Sequence, residues 1–132
     1  MMLRRHLRVD DETGLASTEL AVLMPVLIIL VLLPIQFALL WHGKQAADLA
    51  AEEAVEAAQV VGADPTIDGT QGAYAILGQA GNLTDITVTV TTTSDSVIVD
   101  VTGTLDYSIL GTYTVTARAE GSLERFIAED DR

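Results

Sequence analysis

The chain predicts an α+β fold: a long N-terminal helix that crosses a membrane, extends outward and packs on a small three-stranded antiparallel sheet, with a short second helix between. Three observations carry that prediction. Leu20 to Trp41 contains no charged side chain; the stretch after Gly43 is rich in alanine and free of proline as far as Val61; and from Ile86 onward apolar residues recur at every second position instead of every third or fourth.

The apolar run comes first. Its roughly 22 residues, at about 1.5 Å each, reach about 33 Å, enough for a hydrocarbon core of roughly 30 Å. No other part of the chain is large enough to bury such a helix in a soluble core. Trp41 and His42 suit the far interface, where amphipathic rings favour the headgroup level. Pro25 and Pro34 each remove a backbone hydrogen bond and push against the preceding turn, so local kinks are expected. Two readings of them stay open: tolerated defects in a membrane anchor, or a helix loosened so that it can repack on leaving lipid. Gln36, the strongest hydrogen-bonding side chain inside the run, can bond to a neighbouring helix. Arg4, Arg5 and Arg8 precede the run and Lys44 alone follows it closely, which places the N-terminus in the cytoplasm and the rest of the chain outside.

Beyond the membrane, Lys44 to Val61 has high helix propensity. Leu49, Val55 or Ala54, Ala58 and Val61 are expected on the packed face, with Asp48, Glu52, Glu53, Glu56 and Gln59 on the polar one. Gly62 and Asp64-Pro65 read as its stop. A loop from Ala63 to Gly69 then leads to a short second helix over 70–77, ended by Gly78 or Gly81. Ile86, Val88 and Val90 alternate with threonines as a first strand, Ser94-Asp95 is a hairpin turn, and Val97, Val99 and Val101 form a second strand, carried on through Leu105 and Tyr107. After a break at Gly111, Tyr113, Val115, Ala117 and Ala119 form the third. A sheet this small needs cover on one face, and the outer half of the long helix supplies it. The chain thus divides into 1–14, a charged leader; 15–62, the membrane and extended helix; and 63–132, an outer α+β domain.

Composition excludes several functions. The formal net charge is −12, and without a concentration of Lys and Arg there is no surface for nucleic acid. The acidity keeps an outer domain soluble and apart from anionic lipid. Without cysteine there is no disulfide, thiolate nucleophile or cysteine zinc site. His6 and His42 flank opposite sides of the apolar run and cannot share a metal. Ser17, His42 and Asp48 are conceivable catalytic groups, but no phosphate-binding glycine loop, nucleophile elbow or metal-ligand cluster accompanies them. The expectation is no enzyme, cofactor, metal or small-molecule substrate.

The junction Gly14-Leu15-Ala16-Ser17-Thr18-Glu19 is the most specific motif. An ordinary secretory signal is cut after its apolar stretch; a glycine before the stretch and a lone carboxylate five residues later resembles a type III signal sequence, cut ahead of it. Gly14, Glu19 and Pro25, followed by an apolar helix that turns alanine-rich, closely resemble the TadE-like family of pseudopilins of the Tad system, which builds Flp-type pili. The strands from Ile86 to Ala119 and the ending Glu124-Arg125-Phe126 look similar to short TadE-like proteins of high-GC Gram-positive bacteria, although valine-threonine strands are far less specific.

The resemblance implies a pilin-like fold, cleavage after Gly14 by a prepilin peptidase, a mature chain beginning at Leu15, storage in the cell membrane and a minor part in pilus assembly, priming or adhesion. Its partners would be the lipid membrane, the peptidase, other pilins or pseudopilins and the Tad membrane assembly proteins. Glu19 would pair with the new amine at Leu15 of a neighbouring subunit, since a carboxylate at the edge of an apolar environment is costly unless paired. The bland alternative for Glu19 is a water-facing residue favoured by the helix dipole. Pro34 and the acidic Glu52-Glu53-Val55-Glu56 stretch, where relatives often carry arginine, depart from the pattern and put detailed transfer of helix contacts in doubt. Rival functions are a single-pass signal-anchored envelope or binding protein and a type II secretion pseudopilin; the major pilus subunit is weaker, being much smaller in the Flp class.

Overall fold

In the computed structural model the described residues are 10–60, 62–80, 82–106 and 111–123, with side chains from residue 17. The order is α1 (Asp10–Gln59), α2 (Pro65–Ala80), β1 (Thr84–Thr92), β2 (Ser96–Leu105) and β3 (Tyr113–Ser122). This is the α+β, pilin-like arrangement of a long apolar helix, a short helix and a three-stranded antiparallel sheet. Two compact units divide it, Met1–Ile35 and Gln36–Arg132. The first is described through α1 alone, whose helix runs on through Pro25 and Pro34.

In the second unit the sheet order is β1-β2-β3, so β2 is central. Its alternate residues Val97, Val99, Val101 and Leu105 are buried, whereas β1 presents only half-buried apolar residues to the same side. β-branched side chains suit this role because they fill a pleated, half-covered surface. The Ser94-Asp95 turn forms as expected: the Thr93 backbone N–H donates to the Ser96 carbonyl at 2.8 Å, and Thr93 Oγ1 accepts from the Ser96 N–H at 3.1 Å. Near the other end of β1, Thr84 pairs with Thr104 and Thr87 with Thr102, so Asp85 and Ile86 share the single position opposite Gly103. Asp85 takes a positive φ of 48° there, the geometry of a β-bulge. Opposite it, Gly103 is crowded by Leu83, whose Cβ would stand 3.3 Å from a Cβ added there.

The core under the sheet differs from expectation. Ala47, Ala50, Ala51, Ala54, Val55 and Ala58 of α1 are buried with Ala73 and Leu77 of α2 and the valines of β2. Ala54, Val55 and Ala58 lie on the packed face as expected, but Leu49 is 54% exposed, and alanines complete that face in its place. Leu49 stands about 180° round the helix from Ala58, and α2 comes close to the face that is buried. A Cβ added to Gly69 would stand 3.1 Å from the Ala54 carbonyl oxygen, and one added to Gly72 3.2 Å from that of Glu53. Helices at that separation cannot seat leucine between them. Val61, also expected on this face, lies outside the described residues, as do Gly81, Tyr107 and Glu124-Arg125-Phe126.

The second helix also begins earlier than expected, at Pro65 instead of residue 70. Asp64 Oδ1 accepts from the backbone N–H groups of Thr66 and Ile67 at 3.0 and 3.1 Å, and the Asp64 N–H donates to Asp68 Oδ2 at 2.7 Å. Asp64 is therefore an N-cap and Pro65 the first helical residue, where its missing N–H costs nothing. Gly62, at a φ of 88°, turns the chain between the helices, as its reading as a stop signal requires.

Candidate functional site

Gly14 and Leu15 lie in the backbone of α1, which begins at Asp10; the N-terminal cations Arg4, Arg5 and Arg8 lie outside the described residues. Glu19 follows on the same helix. It is exposed, and lines a shallow groove with Thr18, Val22, Leu23 and Val26. Glu19 is thus set among apolar neighbours, and it is the one Asp, Glu, Lys or Arg between Ser17 and Trp41. A bare carboxylate there has little competition from water on its apolar side, and a cation brought to it gains more than in bulk solvent.

Downstream, Leu20, Val22, Leu27, Leu30 and Phe37 are all exposed. The richest 18-residue window of this helix has a mean hydropathy of 2.7 and none of it is buried within the protein. So continuous an uncovered apolar surface needs lipid or another protein around it. Pro25 and Pro34 lie within α1, Gln36 is half-buried, and Trp41 is 68% exposed. The sequence-expected residues therefore fall on one helix, without converging on an enclosed cavity.

The groups weighed for catalysis are occupied or exposed. Lys44 Nζ donates to Asp48 Oδ1 one turn on, His42 is exposed on α1, and among the described residues no group of three or more His, Cys, Asp or Glu could hold a metal. The outer face of the sheet instead carries hydroxyls, with Thr87, Thr102 and Thr116 in one cross-strand row. Beside them stands an ion pair whose two members alternation places on the outward face. Asp100 and Arg118 are directly opposite on β2 and β3, and Arg118 Nε and Nη2 donate to Oδ1 and Oδ2 at 2.7 and 2.9 Å. That hydrogen bond holds the Asp100 carboxyl below its ordinary range, and Asp100 in turn pushes the guanidinium up.

A second contact invisible in the sequence joins α1 to the sheet. Gln59 Nε2 donates to the Ser122 carbonyl at 2.7 Å, and Gly121 makes room, since a Cβ there would collide with Gln59 and Val55.

Comparison with known proteins gives one match: residues 14–56 fit the family model described as TadE-like protein. No curated protein and no solved structure matches the chain.

Proposed function

We propose that this chain, which resembles TadE-like proteins over residues 14–56, is a pilin-like component of a Tad pilus, a minor pilin or pseudopilin cut between Gly14 and Leu15 by a prepilin peptidase and acting in pilus assembly, priming or adhesion. The observation that carries this is the uncovered apolar helix with Glu19 at its head. A signal peptide removed after the apolar run would not require that carboxylate, whereas a subunit that moves from lipid into a filament does. An acidic side chain costs about 2.5–3.5 kcal/mol at a membrane helix centre and less at its edge; the amine freed at Leu15 of a neighbour offsets that cost and fixes the stagger between subunits.

On this reading residues 1–14 are a cytoplasmic leader, 15–62 the membrane and extended helix and 63–132 the outer domain. The protein has no catalytic role: its partners are the lipid membrane, the peptidase, other pilins or pseudopilins and the Tad membrane assembly proteins. Pro25 and Pro34 loosen the helix for its transfer, Gln36 bonds to a neighbouring helix, and Trp41 marks the outer interface.

The test is Glu19 itself. Glu19→Ala should leave insertion and cleavage intact and reduce co-purification with partner pilins, or pilus number, by about tenfold or more, the value of one lost charge-assisted contact. Glu19→Gln should be nearly as harmful. Normal pili with both substitutions would make Glu19 a solvated helix-start residue and favour the plain membrane anchor.

A further inference from the structure

We infer that the outer domain is seated base-first in the outer headgroup layer of the membrane, with Trp41 and Tyr113 forming a lipid contact besides the spanning helix. The inference rests on the reading of α1 as a membrane helix with the domain outside. Its starting point is that the end of the charge-free run, Gln36 to Trp41, belongs to the same compact unit as the sheet. Leu39 and Leu40 pack against the domain's hydrophobic core. Gly43 follows, where a Cβ would stand 3.4 Å from Leu83 Cδ2 and 3.7 Å from Leu105 Cδ1. Leu39 to Gly43 is about 6 Å of helix. The bottom of the core is therefore level with residues that are themselves part of the apolar run, and no spacer lifts the domain off the bilayer.

Strand direction defines the base. β2 runs from the hairpin at Ser96 to Leu105, about 30 Å at 3.3 Å per residue, so Leu105 lies at the Gly43 end and the hairpin at the other. Tyr113 is the register partner of Leu105 and is 38% exposed. Trp41 stands only about 3 Å along the axis from Gly43. An exposed tryptophan and an exposed tyrosine at one end of a domain form the combination that settles at a bilayer interface, rings in the apolar edge and polar tips in water.

Lipid is the occupant that continuity and charge favour. The base includes Gln36 to Trp41, the last part of the charge-free run, within the same unit. Of the carboxylates of outer α1, Asp48 is held by Lys44, while Glu52, Glu53 and Glu56 begin about 13 Å above Gly43, beyond a Debye length of about 8 Å at physiological salt. Asp106 does lie at the base, where it accepts a hydrogen bond from Thr112, and exposed Asp85 lies near it beside Gly103; both favour a zwitterionic surface over an anionic one. With Leu39 to Trp41 given to the interface, Leu20 to Ala38 still spans about 28 Å, close to the roughly 30 Å hydrocarbon core.

Because the chain holds one tryptophan and no cysteine, the test needs few changes. The full chain is reconstituted in phosphatidylcholine vesicles containing nitroxide lipids labelled at the headgroup or upper acyl chain. Trp41 emission is read directly, and an environment-sensitive dye is attached to the single-cysteine variants Y113C, T112C and S94C. The expected result is quenching of Trp41 and blue-shifted dye emission at 112 and 113, quenched roughly threefold more than at 94, as interfacial depth requires. A quenched Trp41 with 112 and 113 behaving like 94 would overturn the seating and leave the membrane helix standing. An unquenched Trp41 would remove the membrane reading, and the inference with it. Blue-shifted dyes that no lipid nitroxide quenches would mean that a second protein molecule covers the base, which also overturns it. Thr112→Cys guards against a folding defect peculiar to loss of Tyr113.

Discussion

Gly121 shows how one missing side chain fastens the helix layer to the sheet. With no Cβ, it lets Gln59 lie across β3 and donate to Ser122. Gly121→Val should lower stability by about 1–3 kcal/mol through overpacking, with thermal or urea unfolding as the measurement. Gln59→Ala, which removes the hydrogen bond without adding a clash, should cost only about 0.5–1.5 kcal/mol. The Asp100–Arg118 pair makes a prediction about pH. Folding lowers the Asp100 pKa, so its contribution is present at neutral pH and is lost as pH falls through that depressed value. Exposure to solvent keeps the effect small. Unfolding curves of the protein and of Asp100→Asn should differ most at neutral pH and converge in strong acid; a gap that widens in acid would contradict the pairing. Asp100 and Arg118 could each be placed on an outward face from strand alternation, but their being opposite one another depends on a register that the Ser94-Asp95 turn and the bulge at Asp85 set together. Gln59 and Gly121 were illegible in the sequence, because no local pattern links a helix end to a strand 62 positions away in chain order.

At the scale of elements, periodicity revealed the long helix and all three strands, since each rests on a local repeat of 3.6 or 2 residues. What it missed was distance between layers. Reading three- and four-residue intervals as one face groups Leu49 with Ala54 or Val55 and Ala58, although Leu49 stands about 180° round the helix from Ala58; on the buried face the close approach of Gly69 and Gly72 selects alanine. Leu49→Ala should accordingly change stability by no more than about 0.5 kcal/mol. Ala54→Leu, on the buried face, should cost about 1–3 kcal/mol. The reverse order would restore the leucine-faced helix. The start of α2 was also misplaced, because Asp64-Pro65 serves as the exit from one helix and the entry to the next. Asp64→Ala should cost about 1 kcal/mol through loss of the N-cap, seen as a lower urea midpoint.

For the whole molecule, the N-terminal segment on which the proposed function rests is more legible than the domain that follows it. Gly14, Glu19 and the apolar run are contiguous in sequence and need no tertiary structure to be recognised, and the TadE-like match covers that segment and stops at residue 56. The strands leave no comparable signature, since valine alternating with threonine reports burial on one side and nothing about partners. On the proposed orientation, with Arg4, Arg5 and Arg8 on the cytoplasmic side, a probe at S94C should react with an impermeant reagent on intact cells or spheroplasts, and protection at S94C with labelling at S17C would reverse that orientation. The central claim is that the apolar helix is kept while the leader before it is removed. N-terminal sequencing of the native membrane protein, with and without its prepilin peptidase, tests this most directly. The account predicts a chain beginning at Leu15 when the peptidase is present and an uncut precursor when it is absent; a mature protein beginning near Gly43 or Gly62, or one indifferent to the peptidase, would contradict it.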